Sequence, residues 1–303
     1  MVGKRKIAKT TDLTNGRSSQ VRAGAHQSKN VVNNHDLTPS AILIEELSIC
    51  KDPDESPRPD FIMELLERLR YADDAALGTW LVSFAGPDRE RRAALATAIG
   101  QAAHRLAPDG EPPAQGAAAV AWQSLLAAAD HLYGSGAHAL GRLPFLSEQL
   151  FTRLVDEGRQ QMPEQSATDR RMIGSPGDVL ANLAVSRQLR EALSEALGCA
   201  VVPTYEALYE YDPPGSHVST HIDRSGFEFT FHLILEHATS RGVVAESVLI
   251  AHRPGHRKPN RFRVRPGEAV VLRGRGTVHS WAPLGADERR TLTSIGFTRP
   301  AET

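Results

Sequence analysis

Large apolar side chains are scarce along residues 1–38, where Lys, Arg, Asn, Ser and Gly dominate. Such a stretch buries too little apolar surface to offset chain entropy, so a disordered tail is expected there. From Ser40 the pattern turns helical. Ile42, Leu43 and Leu47 make one short segment, and Phe61, Leu65, Leu66 and Leu69 recur at helical spacing in a second. Ala-rich stretches at 91–106 and 117–132 predict two further helices, separated by the Pro/Gly cluster from Pro108 to Gly116, where a helical ladder must stop. Residues 39–140 therefore read as a helical region, a cap or an interaction surface.

The pattern changes at Pro144. Ser147 is placed to N-cap a helix whose apolar positions Leu150, Phe151, Leu154 and Val155 share a face. A second amphipathic helix is expected from about Pro176 through Leu180, Leu183 and Leu193 to Leu197, with Gly198 as its left-handed cap. After Cys199 the segments 205–211, 227–235, 243–251, 262–264, 269–272 and 291–297 are short, rich in β-branched and aromatic residues, and separated by Pro/Gly turns. The expected class is α+β: a tail (1–38), a helical region (39–140) and an antiparallel β domain flanked by helices (141–303). No repeat of solenoid or propeller length is present.

Composition changes this picture little. A chain of 303 residues can bury one or two full cores, and a formal net charge of -1 gives no global attraction to nucleic acid. No apolar run is long enough to cross a bilayer, and Lys4, Arg5, Lys6 and Lys9 are not followed by the apolar stretch of a secretory signal, so a cytoplasmic location is expected. Cys50 and Cys199 stand far apart with no CxxC and read as buried or idle thiols.

The candidate chemistry lies in the β domain. His221 and Asp223 are two positions apart, so on a strand or strand end both side chains take the same side. His279, several predicted strands later, supplies a third donor. Two imidazoles and one carboxylate on one face leave open positions around an octahedral iron, the arrangement that non-haem Fe(II) oxygenases require. Arg289 and Arg290 open the last predicted strand. A planar guanidinium there could hold the far carboxylate of a dicarboxylate that chelates the iron. Arg289 shares its face with Thr291 and Thr293, whose hydroxyls could join that contact, whereas Arg290 shares its face with Leu292 and Ser294. On that alternation Arg289 is favoured.

The order Tyr211-x-Pro-Pro-Gly, His221-x-Asp223, a strand-rich interval, Arg265-Pro-Gly-Glu before an apolar strand, Gly276-x-x-His279 and then Arg289-x-Thr291 resembles the Fe(II)/2-oxoglutarate oxygenase superfamily. Within it the chain is most similar to the prolyl-4-hydroxylase-like branch, over residues 144–297. The resemblance implies a double-stranded β-helix, or jelly-roll barrel, with iron on His221, Asp223 and His279. It implies 2-oxoglutarate on Arg289 or Arg290, O2 as the oxidant, and Tyr209 and Tyr211 lining the same pocket. The implied reaction is decarboxylation of 2-oxoglutarate to succinate coupled to hydroxylation or a related C–H oxidation. Asp223 stands where halogenating relatives carry Ala or Gly.

The other candidates are weighed against bland readings. His217, His237, His252 and His256 read as packed or surface residues, while His232 and Trp281 are candidate pocket residues. The arginines and lysine between Arg253 and Arg265 read as a solvated face. The alternative there is a recruiting surface for an acidic or carrier-bound substrate, and without interleaved aromatics nucleic acid is the weakest partner. A small-molecule substrate and no membrane partner are expected. Two other classes stay open: a cupin-type metal enzyme, although cupins usually offer His-x-His where this chain has His221-x-Asp223, and a non-catalytic barrel acting as a binding module.

Overall fold

The computed structural model describes residue 86 and residues 89–162, 171–224 and 226–300. All of these belong to one compact unit, Asn34–Thr303. The expected tail and the two short helical segments before residue 70 lie outside the described residues.

Helix α1 (Arg89–Leu106) and helix α2 (Gly116–Tyr133) flank the Pro/Gly cluster as expected. Leu95, Ala98, Ile99, Ala102 and Ala103 of α1 share one apolar cluster with Trp122, Leu125, Leu126 and Ala129 of α2. Strand β1 (Ala137–Gly141), helix α3 (Glu148–Gln160), strand β2 (Met172–Gly174), helix α4 (Asp178–Ala184) and helix α5 (Arg187–Leu197) follow. Ser147 caps α3 by accepting the Leu150 N–H at 3.2 Å. The single helix expected between Pro176 and Leu197 is two helices. Ser186 accepts the Leu189 N–H at 3.3 Å and starts a new ladder after Val185. Gly177 has no side chain with which to cap α4, and Glu157 of α3 does so instead, accepting the N–H groups of Val179 and Leu180 at 2.7 and 2.9 Å.

Eight strands then run to the end of the described chain: β3 (Val202–Asp212), β4 (Val218–His221), β5 (Phe229–Thr239), β6 (Ser247–Ala251), β7 (Asn260–Val264), β8 (Ala269–Leu272), β9 (His279–Trp281) and β10 (Glu288–Thr298). They form two antiparallel sheets, ordered β1-β8-β5-β10-β3-β2 and β4-β9-β6-β7. The chain crosses from sheet to sheet so that β3, β5, β8 and β10 face β4, β6, β7 and β9, which is the double-stranded β-helix of a jelly roll. No helix among the described residues is long and apolar enough to cross a membrane.

The larger sheet is buried on both faces. Phe229, Phe231, Leu233 and Leu235 of β5 join Tyr209, Tyr211, Ile295 and Phe297 in a cluster with Leu154, Leu180, Leu189 and Leu193 of the helices. The alternate positions Ile234, Val270, Leu272 and Leu292 meet Leu249, Ala251 and Trp281 in a separate cluster inside the barrel. At roughly 1.5–3 kcal/mol per fully buried large apolar side chain, these two layers dominate the stability of the domain.

Candidate metal centre

Strands β4 and β9 are neighbours in the smaller sheet, and their register sets His221 opposite His279. Their ring centroids are 4.3 Å apart. Beyond β4 the Asp223 N–H donates to the Gly274 carbonyl at 2.9 Å, and this turns the carboxylate back toward both rings. His221 Nε2 and His279 Nε2 lie 3.4 and 3.5 Å from Asp223 Oδ1. One donor atom from each residue lies within 4.8 Å of the others. Gly274 permits this approach, because a Cβ there would run into Asp223 Oδ2 and Thr230 Oγ1. Thr230 donates to Asp223 Oδ2, which leaves Oδ1 to the histidines.

Both imidazoles are oriented by the same device. The Nδ1 of His221 lies 2.8 Å from the Ser219 carbonyl, and the Nδ1 of His279 lies 2.8 Å from the Thr277 carbonyl. A carbonyl only accepts, so Nδ1 is the donor in each ring and Nε2 is the atom left facing Asp223. Burial, then the neighbouring His221, pulls His279 down to about 4. Burial alone would raise Asp223, but His279, His221 and the Thr230 hydroxyl outweigh it and hold the carboxyl well below its usual range. At neutral pH the cluster therefore has an ionised carboxylate beside a neutral His279. This donor set fits a divalent first-row ion that keeps open positions.

A pocket of about 390 Å³ opens on the three residues, walled by Arg171, Leu208, Glu210, Phe227, Trp281 and Ser294 among others. His232 lies in the same wall, its Nδ1 2.8 Å from Ser294 Oγ and its ring edge-on to Trp281 at 5.5 Å. Burial pushes it down to about 3, so it is neutral. Next to Trp281 lies a set of buried ion pairs. Arg290 donates to Asp212 Oδ2 through Nε at 2.8 Å and Nη2 at 2.5 Å, and its guanidinium sits over the Trp281 ring at 4.5 Å. Its Nη1 is buried without a hydrogen-bond partner. Arg171 pairs with Glu210 and lies 3.8 Å from Asp212, and Ser294 also donates to Glu210. Burial pulls the Arg171 guanidinium below its ordinary value.

Several expected site residues lie elsewhere. Arg289 is exposed, whereas Arg290 is buried with Ser294 and Leu292 on the barrel side of β10, so the inward face expected for Arg289 is taken by Arg290. Thr291 is half-buried, and it alternates with Arg290 and Leu292 onto the other side of the strand from them. Tyr209 and Tyr211 do not line the pocket. They face the helices, where Tyr209 donates to Glu157 at 2.7 Å and Tyr211 donates to the Gly158 carbonyl. The physical reason is common to all four: helices cover the outer face of the larger sheet, so both faces want apolar bodies and alternation alone does not say which is inside. On β3 the barrel-facing residues are Leu208, Glu210 and Asp212. Charged residues alternating with tyrosines in an otherwise apolar strand are the signal that could have found them. Arg171 carried no such signal.

Other candidates resolve into packing and surface pairs. Trp122 meets His252 edge-on at 4.9 Å, and burial pushes His252 down to about 4. His237 hydrogen-bonds Ser247, and His217 lies 3.9 Å from Asp109. In the basic stretch, Arg261 pairs with Glu111, and Arg263 and Arg265 pair with Glu246 at 3.2 and 2.6 Å. Three of the six cations in that stretch are thus paired, with two carboxylates between them.

No family model matches the sequence, and no curated protein does. Solved structures do match. A Pseudomonas putida prolyl-4-hydroxylase is 20% identical over 58% of this chain and 99% of its own, with a TM-score of 0.41. HygX from Streptomyces hygroscopicus, solved with nickel, 2-oxoglutarate and hygromycin B, is 13% identical over 56% of this chain and 85% of its own, with a TM-score of 0.43. SnoN, a non-heme alpha ketoglutarate dependent epimerase of nogalamycin biosynthesis, is 16% identical over 55% and 78%, with a TM-score of 0.43.

Proposed function

We propose that this chain is an Fe(II)- and 2-oxoglutarate-dependent oxygenase that oxidises a C–H bond of a small molecule or amino-acid derivative, with hydroxylation as the outcome. The reading rests above all on His221, Asp223 and His279, whose donor atoms converge within 4.8 Å with both Nδ1 groups committed to backbone carbonyls. Those three residues would hold the iron. Bound there with 2-oxoglutarate, it would supply oxidative decarboxylation to succinate coupled to oxidation of the substrate.

The remaining roles belong to the chain itself. Arg290 offers a buried, unpartnered Nη1 beside the pocket wall, and it is the residue proposed to receive the distal carboxylate of 2-oxoglutarate. Trp281, Phe227 and Leu208 keep water from the walls, and neutral His232 with Ser294 presents polar atoms inside them. A volume of about 390 Å³ suits a metabolite-sized occupant. Anaerobic titration with Fe(II) and 2-oxoglutarate tests the reading. A visible charge-transfer band that needs both components, and succinate release on admitting oxygen, are expected. Well-folded protein that gives neither result rules the activity out.

A further inference from the structure

Helix α1 touches the barrel at the residue between two of the proposed ligands. Gly100 faces Ile222, and a Cβ at Gly100 would lie 2.8 Å from Ile222 Cγ1 and 3.3 Å from the Ile222 backbone nitrogen. Glycine is a poor residue for a helix interior, so its presence inside α1 is accounted for by closeness of approach. Ile222 packs against the α1–α2 cluster, and Val278, the residue before His279, is a fully enclosed member of the same cluster. The apolar core of the hairpin thus ends on the immediate neighbours of all three proposed ligands.

Polar ties run to the same segments. The chain just after α1 receives Thr220, whose N–H donates to the Pro108 carbonyl at 3.4 Å and whose hydroxyl donates to the Ala107 carbonyl. Just after α2, the Gly136 N–H donates to Thr277 Oγ1 at 2.9 Å. Arg275 lies over the ring of Tyr133, the last residue of α2, at 4.5 Å. Each end of the hairpin therefore grips a segment that carries a histidine of the triad.

We infer that the α1–α2 hairpin is a clamp that sets the separation of the metal ligands, with Gly100, Ile222 and Val278 as positioning residues. The inference rests on the metal reading above. In a well-formed metal site the metal–ligand distances fall within about 0.2 Å of their ideal values. A Cβ at Gly100, 2.8 Å from Ile222 Cγ1, requires α1 or Ile222, one peptide away from both His221 and Asp223, to shift.

The test is anaerobic titration of the full chain with Co(II), read by its visible absorption, alongside circular dichroism and thermal melting. Gly100→Ala is expected to weaken Co(II) binding at least tenfold and to alter the absorption bands while the fold persists. An effect confined to helix propensity would instead leave affinity unchanged and raise the melting temperature. The double variant Gly100→Ala/Ile222→Ala, in which the nearer crowding atom is gone, is expected to bind within about threefold of Ile222→Ala alone. Val278→Ala leaves a cavity and crowds nothing, and it is expected to weaken Co(II) at least threefold, which keeps the idea testable should Gly100→Ala fail to fold. Wild-type affinity and spectrum in Gly100→Ala, strictly additive losses in the double variant, or unchanged binding in Val278→Ala would each overturn the clamp. Wild-type protein that takes up no Co(II) or Fe(II) would instead overturn the metal reading, and the clamp with it.

Discussion

Arg290 and Asp212 face each other across β10 and β3 and are joined by two hydrogen bonds, both to Asp212 Oδ2, with the third guanidinium nitrogen, Nη1, left buried and unmatched. An ion pair so enclosed is sensitive to the loss of either partner, because the survivor stays charged without water.

Asp212→Asn leaves Arg290 uncompensated and is expected to cost about 3–5 kcal/mol of stability without 2-oxoglutarate. The co-substrate carboxylate would then restore the missing charge, so saturating 2-oxoglutarate should stabilise the variant more than it stabilises wild type. Urea unfolding with and without 2-oxoglutarate measures this. An equal gain in both proteins would show that the carboxylate does not reach Arg290.

Arg290→Lys keeps the charge and loses the planar fork, and a tenfold or greater rise in the KM for 2-oxoglutarate is expected, read by succinate formation. Arg289→Ala, on the exposed side, should change KM less than twofold. The reverse pattern would return the role to Arg289.

Thr230→Val removes the hydroxyl that holds Asp223 Oδ2, and metal affinity is expected to fall about 10–100-fold with the fold intact. Asp223→Ala should abolish measurable binding. Calorimetric titration with Fe(II) under argon distinguishes the two, and a Thr230→Val protein that binds like wild type would remove the hydroxyl from the site.

His232, His252 and His279 are each pushed below the ordinary histidine value of 6.5, to about 3, 4 and 4, all chiefly by burial. A depressed folded value means that the unfolded chain binds more protons, so stability is whole above about pH 6.5 and is lost as pH falls toward 4. Each histidine adds a slope of up to about 1.4 kcal/mol per pH unit within that window. Denaturation curves of metal-free protein at pH 7.0 and 5.0 should show the loss, and His252→Leu should flatten it. A flat profile in wild type would mean that these rings are hydrated.

The helices at α1, α2 and α3 were legible because apolar period, caps and breakers agreed, and the longer barrel strands because β-branched and aromatic runs ended in Pro/Gly turns. Strands β2, β4 and β9 are only three or four residues long, too short to show a period, although β4 and β9 carry two of the three clustered residues. His221, Asp223 and His279 were readable as residue types at telling positions. The environment of Arg290 was not: the alternation of Glu210 and Asp212 with tyrosines marks them as inward, but their meeting with Arg290 depends on strand register, and Arg171 carries no local signal.

The carbonyls that take the Nδ1 protons belong to residues two positions before each histidine, on the same strand or the segment leading into it. The rings are thus aimed by the chain that bears them and need no ion to find their pose. Chelation should accordingly empty the protein without unfolding it, and stability should climb smoothly with added ion, by mass action alone, by about 2.7 kcal/mol at a hundredfold excess over Kd. A zinc finger collapses when stripped; this barrel should wait, folded, for its cargo.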